Sequence, residues 1–114
     1  MLNNWAELSA NIRKVSESFA ETNPKTLAAY RSLGAAAGES GALDLKTREL
    51  IALAVAVTTR CDGCIASHAA AAAKAGASKA ELNEALATAI ALNAGAAFVY
   101  SMRTLDAFQE LGGR

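Results

Sequence analysis

Residues 50–68 read Leu50-Ile51-Ala52-Leu53-Ala54-Val55-Ala56-Val57-Thr58-Thr59-Arg60-Cys61-Asp62-Gly63-Cys64-Ile65-Ala66-Ser67-His68. Eight apolar residues in a row, Leu50 to Val57, lead into two cysteines three positions apart, and the reading of that approach separates two fold classes. A thioredoxin-type dithiol follows a β-strand inside a βαβ pattern. Here Asp44 is a helix cap signal, Glu49 lies on the approach, and the apolar run reads as a helix to about Thr58 that is buried nearly all round. Thr59 followed by Asp62 resembles a second helix start. The next helix is therefore expected to open at the cysteines and run to Lys74 or Ala75, where Gly76 stops it.

Outward from this centre, a single proline, few β-branched runs and apolar residues three and four apart predict an all-α chain. A first helix spans about Trp5 to Phe19, after Asn3 or Asn4 as cap, with Leu8, Ile12, Val15 and Phe19 on one stripe. A second starts at Pro24 behind Asn23 and runs until Gly34 and Gly38 intervene. Gly38 to Gly41 is a loop by composition. Ser78 and Glu81 form a capping box for a fifth helix through Leu82, Leu86 and Ile90, continuing past Gly95 into a last segment that ends near Leu111. The expectation is a single domain over residues 1–114, of about six helices.

The chain has 114 residues, 53% of them hydrophobic, 5% aromatic and 29 of them alanine. Alanines bury little area each, and a chain of 11.7 kDa leaves much of its surface wet, so part of its apolar surface is expected to be covered by other subunits. Lys+Arg and Asp+Glu are 11 each with no basic stripe, which excludes a nucleic-acid footprint and electrostatic steering to a membrane. Ala85 to Met102 carries no charge over 18 residues, but alanine predominates and Thr88, Asn93, Gly95 and Ser101 interrupt it. It reads as a helix buried through its small residues against a neighbour or a symmetry mate, not as a membrane span. Two cysteines do not make a secreted disulfide scaffold, and the first residues lack a leader pattern, so a cytoplasmic location is expected.

The chemistry-bearing residues are Cys61, Cys64 and His68, with Glu49 on the preceding helix. Steps of three, four and seven bring both thiols and the imidazole to one helix face. Unpaired N–H groups and the positive dipole end at a helix start favour thiolate over thiol, and His68, one turn from Cys64, can accept or relay its proton. Such a thiolate can attack, form an oxidised intermediate and be released by disulfide closure with the second thiol. Glu49 either caps at the surface or faces the site as a proton acceptor. Two packing cysteines are the bland alternative, and zinc a third: two thiolates and one imidazole leave a structural site one ligand short, to be completed by Asp62, Glu49 or a neighbouring subunit. No cofactor is called for.

The run Leu43 to Leu53, then Cys61, Cys64 and His68, then Ala75-Gly76-Ala77 with Glu81 and Glu84, resembles the alkylhydroperoxidase D-like branch of the carboxymuconolactone decarboxylase family over roughly residues 41–111. The resemblance implies an all-helical oligomer, commonly a trimer or hexamer. It also implies a thiol-dependent peroxidase that takes a hydroperoxide substrate and is recycled by a lipoyl or thioredoxin-like dithiol donor. Cys64 would be the attacking thiolate, Cys61 the resolving thiol, His68 the proton relay and Glu49 the base acting through His68 or a water. Two positions depart from the branch: Gly63 stands where its better-known peroxidases carry histidine or an aromatic residue, and Ala94-Gly95-Ala96 replaces a glycine cluster. The decarboxylase branch lacks the dithiol. A general disulfide reductase and a redox-inert oligomeric binding protein are the other functions the residues allow.

Overall fold

Asp44 and Ser78 begin the helices that build the centre of the molecule, each by accepting a backbone N–H with its side chain: Thr47 N–H to Asp44 Oδ1 at 2.7 Å and Glu81 N–H to Ser78 Oγ at 3.0 Å. Glu81 returns the bond to the Ser78 N–H at 3.1 Å, completing the expected capping box. The computed structural model describes residues 2–114 and, among them, is all-helical. The elements are α1 (Trp5–Thr22), α2 (Pro24–Ala36), α3 (Leu45–Thr59), α4 (Asp62–Lys74) and α5 (Lys79–Glu110). Asn4 caps α1, and Pro24 occupies the first turn of α2, where its missing N–H costs nothing.

Five helices stand where about six were expected, because α5 runs through Gly95 for 32 residues. A glycine inside a helix lowers its stability by about 1 kcal/mol relative to alanine but does not end it when the flanking residues are helix formers, as Ala94, Ala96 and Ala97 are.

Helix α3 is the hub: α4 packs on one side and α5 on another, while α1 packs on α4 and α2 on α1. The buried side chains among the described residues are Leu53 and Ala56 of α3, Ala66 and Ala72 of α4 and Ala89 of α5. The apolar run of α3 is thus not enclosed all round, since Ile51 is 49% and Val55 56% exposed. Likewise, Ala89 is the one buried residue of the Ala85–Met102 stretch: from Ile90 to Glu110 every residue of α5 is exposed, Phe98, Tyr100 and Phe108 included. This helix is long and apolar enough to cross a membrane by length and composition alone. The accessible surface is 9074 Å², against about 5,900 Å² for a compact monomer of this mass. The radius of gyration is 18.8 Å, against about 13 Å.

Polar ties fix the register of the central helices. Lys46 Nζ lies 2.8 Å from Glu81 Oε2, joining the first turns of α3 and α5, and Asn93 Nδ2 donates to Thr58 Oγ1 at 2.8 Å between their later turns. The Lys46 ammonium, with the N–H and hydroxyl of Ser78, holds the Glu81 carboxyl below its ordinary range, and Glu81 in turn raises Lys46.

Candidate functional site

Between α3 and α4 the chain turns in two residues, Arg60 and Cys61. Arg60 takes a left-handed conformation (φ 54°), which costs a non-glycine residue about 1–2 kcal/mol, and Cys61 N–H then donates to the Ala56 carbonyl at 3.0 Å. Helix α4 opens at the cysteines as expected, but Thr59 is not its start signal: it remains the last residue of α3, its hydroxyl bonded back to the Val55 carbonyl. Cys61 is the cap, its sulfur accepting the Cys64 N–H at 3.2 Å. Thiols are not among the usual capping side chains, so the signal was misread in favour of a threonine.

The turn brings the sequence-predicted residues together in two pairs. Cys61 and Cys64, with Cα atoms 5.2 Å apart, are joined as a disulfide at the first turn of α4. One turn further on, His68 Nδ1 is 2.6 Å from Glu49 Oε2, so α3 contributes the carboxylate and α4 the imidazole. A carboxylate only accepts, so Nδ1 carries the proton it donates and Nε2 is left as the basic nitrogen. The Glu49 side chain is only 15% exposed while that of His68 is 39% exposed, which puts the carboxylate behind the ring and the ring toward solvent. Of the two positions expected for Glu49, surface cap or partner of the site, the second is the observed one. Both cysteines are half-buried. Asp62 lies in the first turn of α4, where a carboxylate complements the helix dipole. Among the described residues no three His, Cys, Asp or Glu side chains converge as metal ligands.

Two close contacts at glycines were not legible in the sequence, one beside the dithiol and one at the first turn of α3. A Cβ on Gly63 would lie 2.7 Å from Ile12 Cδ1, so α1 occupies the space that a side chain between the two cysteines would need. The departure at Gly63 therefore has a partner on α1, and a larger residue there would require the Ile12 side chain to turn aside. The second is Arg48, beside Glu49, whose guanidinium fills the notch left by the missing side chain of Gly38 and whose Nε is buried without a partner. Its signal was the glycine at position 38, ten residues before it.

Comparison with known proteins fits this geometry. A 58% identical relative from Haemophilus influenzae, an uncharacterized protein, aligns over 108 residues, 95% of this chain and 96% of its own. An uncharacterized protein encoded in the cox locus of Paracoccus denitrificans is 36% identical over 75% of this chain and 77% of its own length. The crystal structure of a carboxymuconolactone decarboxylase family protein from Legionella pneumophila, in its apo form, superposes with a TM-score of 0.74 at 36% identity, covering 93% of this chain and 95% of that one. A close dithiol in such a chain fits a redox role, and the family includes enzymes. The family model for carboxymuconolactone decarboxylases matches residues 24–107, from the start of α2 nearly to the end of α5, and the chain belongs to that family.

Proposed function

We propose that this protein is a thiol-dependent hydroperoxide reductase. The observation that most supports the reading is the Glu49–His68 hydrogen bond of 2.6 Å, one helical turn behind Cys64, with the Cys61 sulfur within bonding reach. Glu49 holds the His68 proton on Nδ1, and Nε2 takes the Cys64 proton. The Cys64 thiolate attacks the terminal oxygen of ROOH, the O–O bond breaks, and the alkoxide leaves as ROH with the proton held by His68. Cys64 is then a sulfenic acid. Cys61 displaces its hydroxyl as water, giving the Cys61–Cys64 disulfide. A dithiol of lipoyl or thioredoxin-like class attacks that disulfide, leaves as its own disulfide and restores both thiols. The sum is ROOH plus a dithiol giving ROH, water and a disulfide, with no metal or flavin called for. The cycle suits a cytoplasmic setting, where such donors are kept reduced.

Gly63 favours a second reading, a disulfide reductase with weak peroxidase activity, because the residue before Cys64 supplies no second imidazole to assist peroxide cleavage. Steady-state rates with an alkyl hydroperoxide and with a small disulfide separate the two, using the same dithiol donor. The proposal expects kcat/KM for the hydroperoxide to be at least tenfold higher; a preference for the disulfide would overturn it.

The working unit we propose is a homo-oligomer, a trimer or a hexamer. In support, the chain exposes about 3,000 Å² more than a compact monomer of its mass, an area typical of obligate interfaces, and the excess includes the aromatic second half of α5. Sedimentation equilibrium is expected to give a whole multiple of 11.7 kDa above one at micromolar concentration, and a monomer there would contradict it.

A further inference from the structure

Helix α1 lies outside the stretch matched by the family model, and the seam it forms with α4 is closed where Ile12 meets Gly63 and open along the rest. The cause is composition. On its α4 side the seam offers Gly63, Ala66, Ala69 and Ala70, side chains too short to reach across, and no residue of α1 is buried by the contact. What remains is a cleft of about 680 Å³ walled by Trp5, Ser9, Arg13, Ile65 and Ala69, within the range of small-molecule sites. A second cleft of about 410 Å³ shares Ser9, Arg13, Ala66 and Ala70 with it and extends to Gly63, between the two cysteines, and to Ser67. Apart from serine hydroxyls the walls are apolar, and Arg13 is the one charged residue lining either cleft among the described residues. No carboxylate lies within 4 Å of its guanidinium among the described residues, Glu17 one turn later included.

An unpaired guanidinium over an apolar trough complements an anion that carries an apolar body. We propose that the α1–α4 seam binds an amphipathic carboxylate, its chain lying along Ala66, Ala69 and Ala70 toward Trp5 and its head on Arg13. The chain so placed runs from Arg13 away from the dithiol turn, and this binding does not rest on the hydroperoxide-reductase reading.

Trp5 is the chain's single tryptophan and lines the seam, so its emission reports occupancy directly. Titration of the protein with decanoate is expected to shift Trp5 emission saturably, at concentrations below those at which the acid forms micelles. Decanol is expected to bind at least fivefold more weakly and acetate not at all. Arg13→Met should erase the difference between decanoate and decanol. Ala70→Leu should weaken both at least tenfold by filling the trough, with helix content by circular dichroism reporting that each variant is folded. No Trp5 response and no heat of binding with decanoate would overturn the proposal, as would an Arg13→Met protein that keeps the preference for the acid, or a seam already filled by a second copy. If decanoate binds as expected but no hydroperoxide is consumed, the site stands and the hydroperoxide-reductase reading fails.

Discussion

Replacing Cys64 with serine is expected to abolish hydroperoxide consumption, lowering kcat/KM by at least about a thousandfold, the scale on which removal of an attacking nucleophile acts. A hydroxyl stays protonated at neutral pH, so the Glu49–His68 pair has no anion to release toward the peroxide. The partner substitution gives a different result. Cys61→Ser keeps the attacking thiol and the relay but removes the group that closes the disulfide, so one equivalent of hydroperoxide per subunit is expected to be consumed rapidly, after which turnover stops. The arrested protein should carry a sulfenic acid on Cys64, detected by its adduct with dimedone. Equal loss of the first turnover in both variants would mean that the roles of the two thiols are wrongly assigned. The serine at 61 can still accept the Cys64 N–H and cap α4, so the variant keeps the start of that helix.

The second large effect is expected at Glu49. In Glu49→Gln the amide still reaches His68, but it can present its N–H₂ as well as its oxygen, so the proton is no longer held on Nδ1. Turnover is expected to fall about a hundredfold, within the usual range for loss of assisted proton transfer. His68→Asn should fall at least as far. A structural role alone would predict lost stability with an unchanged pH profile. The relay instead requires that alkylation of reduced Cys64 by iodoacetamide, followed residue by residue in a mass spectrometer, move toward alkaline pH in both variants, to near the free thiol value of about 8.5. Unchanged profiles would remove Glu49 and His68 from the chemistry.

The parts of the fold that were legible in the sequence are those whose signals are local. Pro24 behind Asn23, Asp44 before Thr47 and the Ser78–Glu81 box each act within one turn, and each helix begins within a residue or two of where its signal put it. Helix α4 also opens where expected, but its cap was not legible, because the cap is a cysteine and the preceding turn uses an arginine at positive φ, neither of which is a residue normally associated with that geometry. Burial failed for a different reason. In the run from Leu50 to Val57 every residue is apolar, so nothing in it distinguishes the face of Leu53 and Ala56, which packs inside the chain, from that of Ile51 and Val55, which is exposed. The same holds for α5 beyond Ile90, where alanines and aromatics specify an apolar surface but not what covers it.

For the candidate site, the helical spacing was enough to put Cys64 and His68 one turn apart on α4, with Cys61 at its cap. The pairing of Glu49 with His68 across 19 positions depends on how α3 and α4 pack, and so does the ring nitrogen that takes part. Ile12 over Gly63 was invisible for the same reason: it links residues 51 positions apart through the docking of a helix that the family core does not contain.

The central claim is tested most directly by adding one equivalent of alkyl hydroperoxide to the fully reduced protein, then counting free thiols and mapping the disulfide by mass spectrometry. Two thiols lost per subunit, a Cys61–Cys64 disulfide and one equivalent of alcohol are the expected result. Two thiols still free after the hydroperoxide has been given time to react would contradict the account.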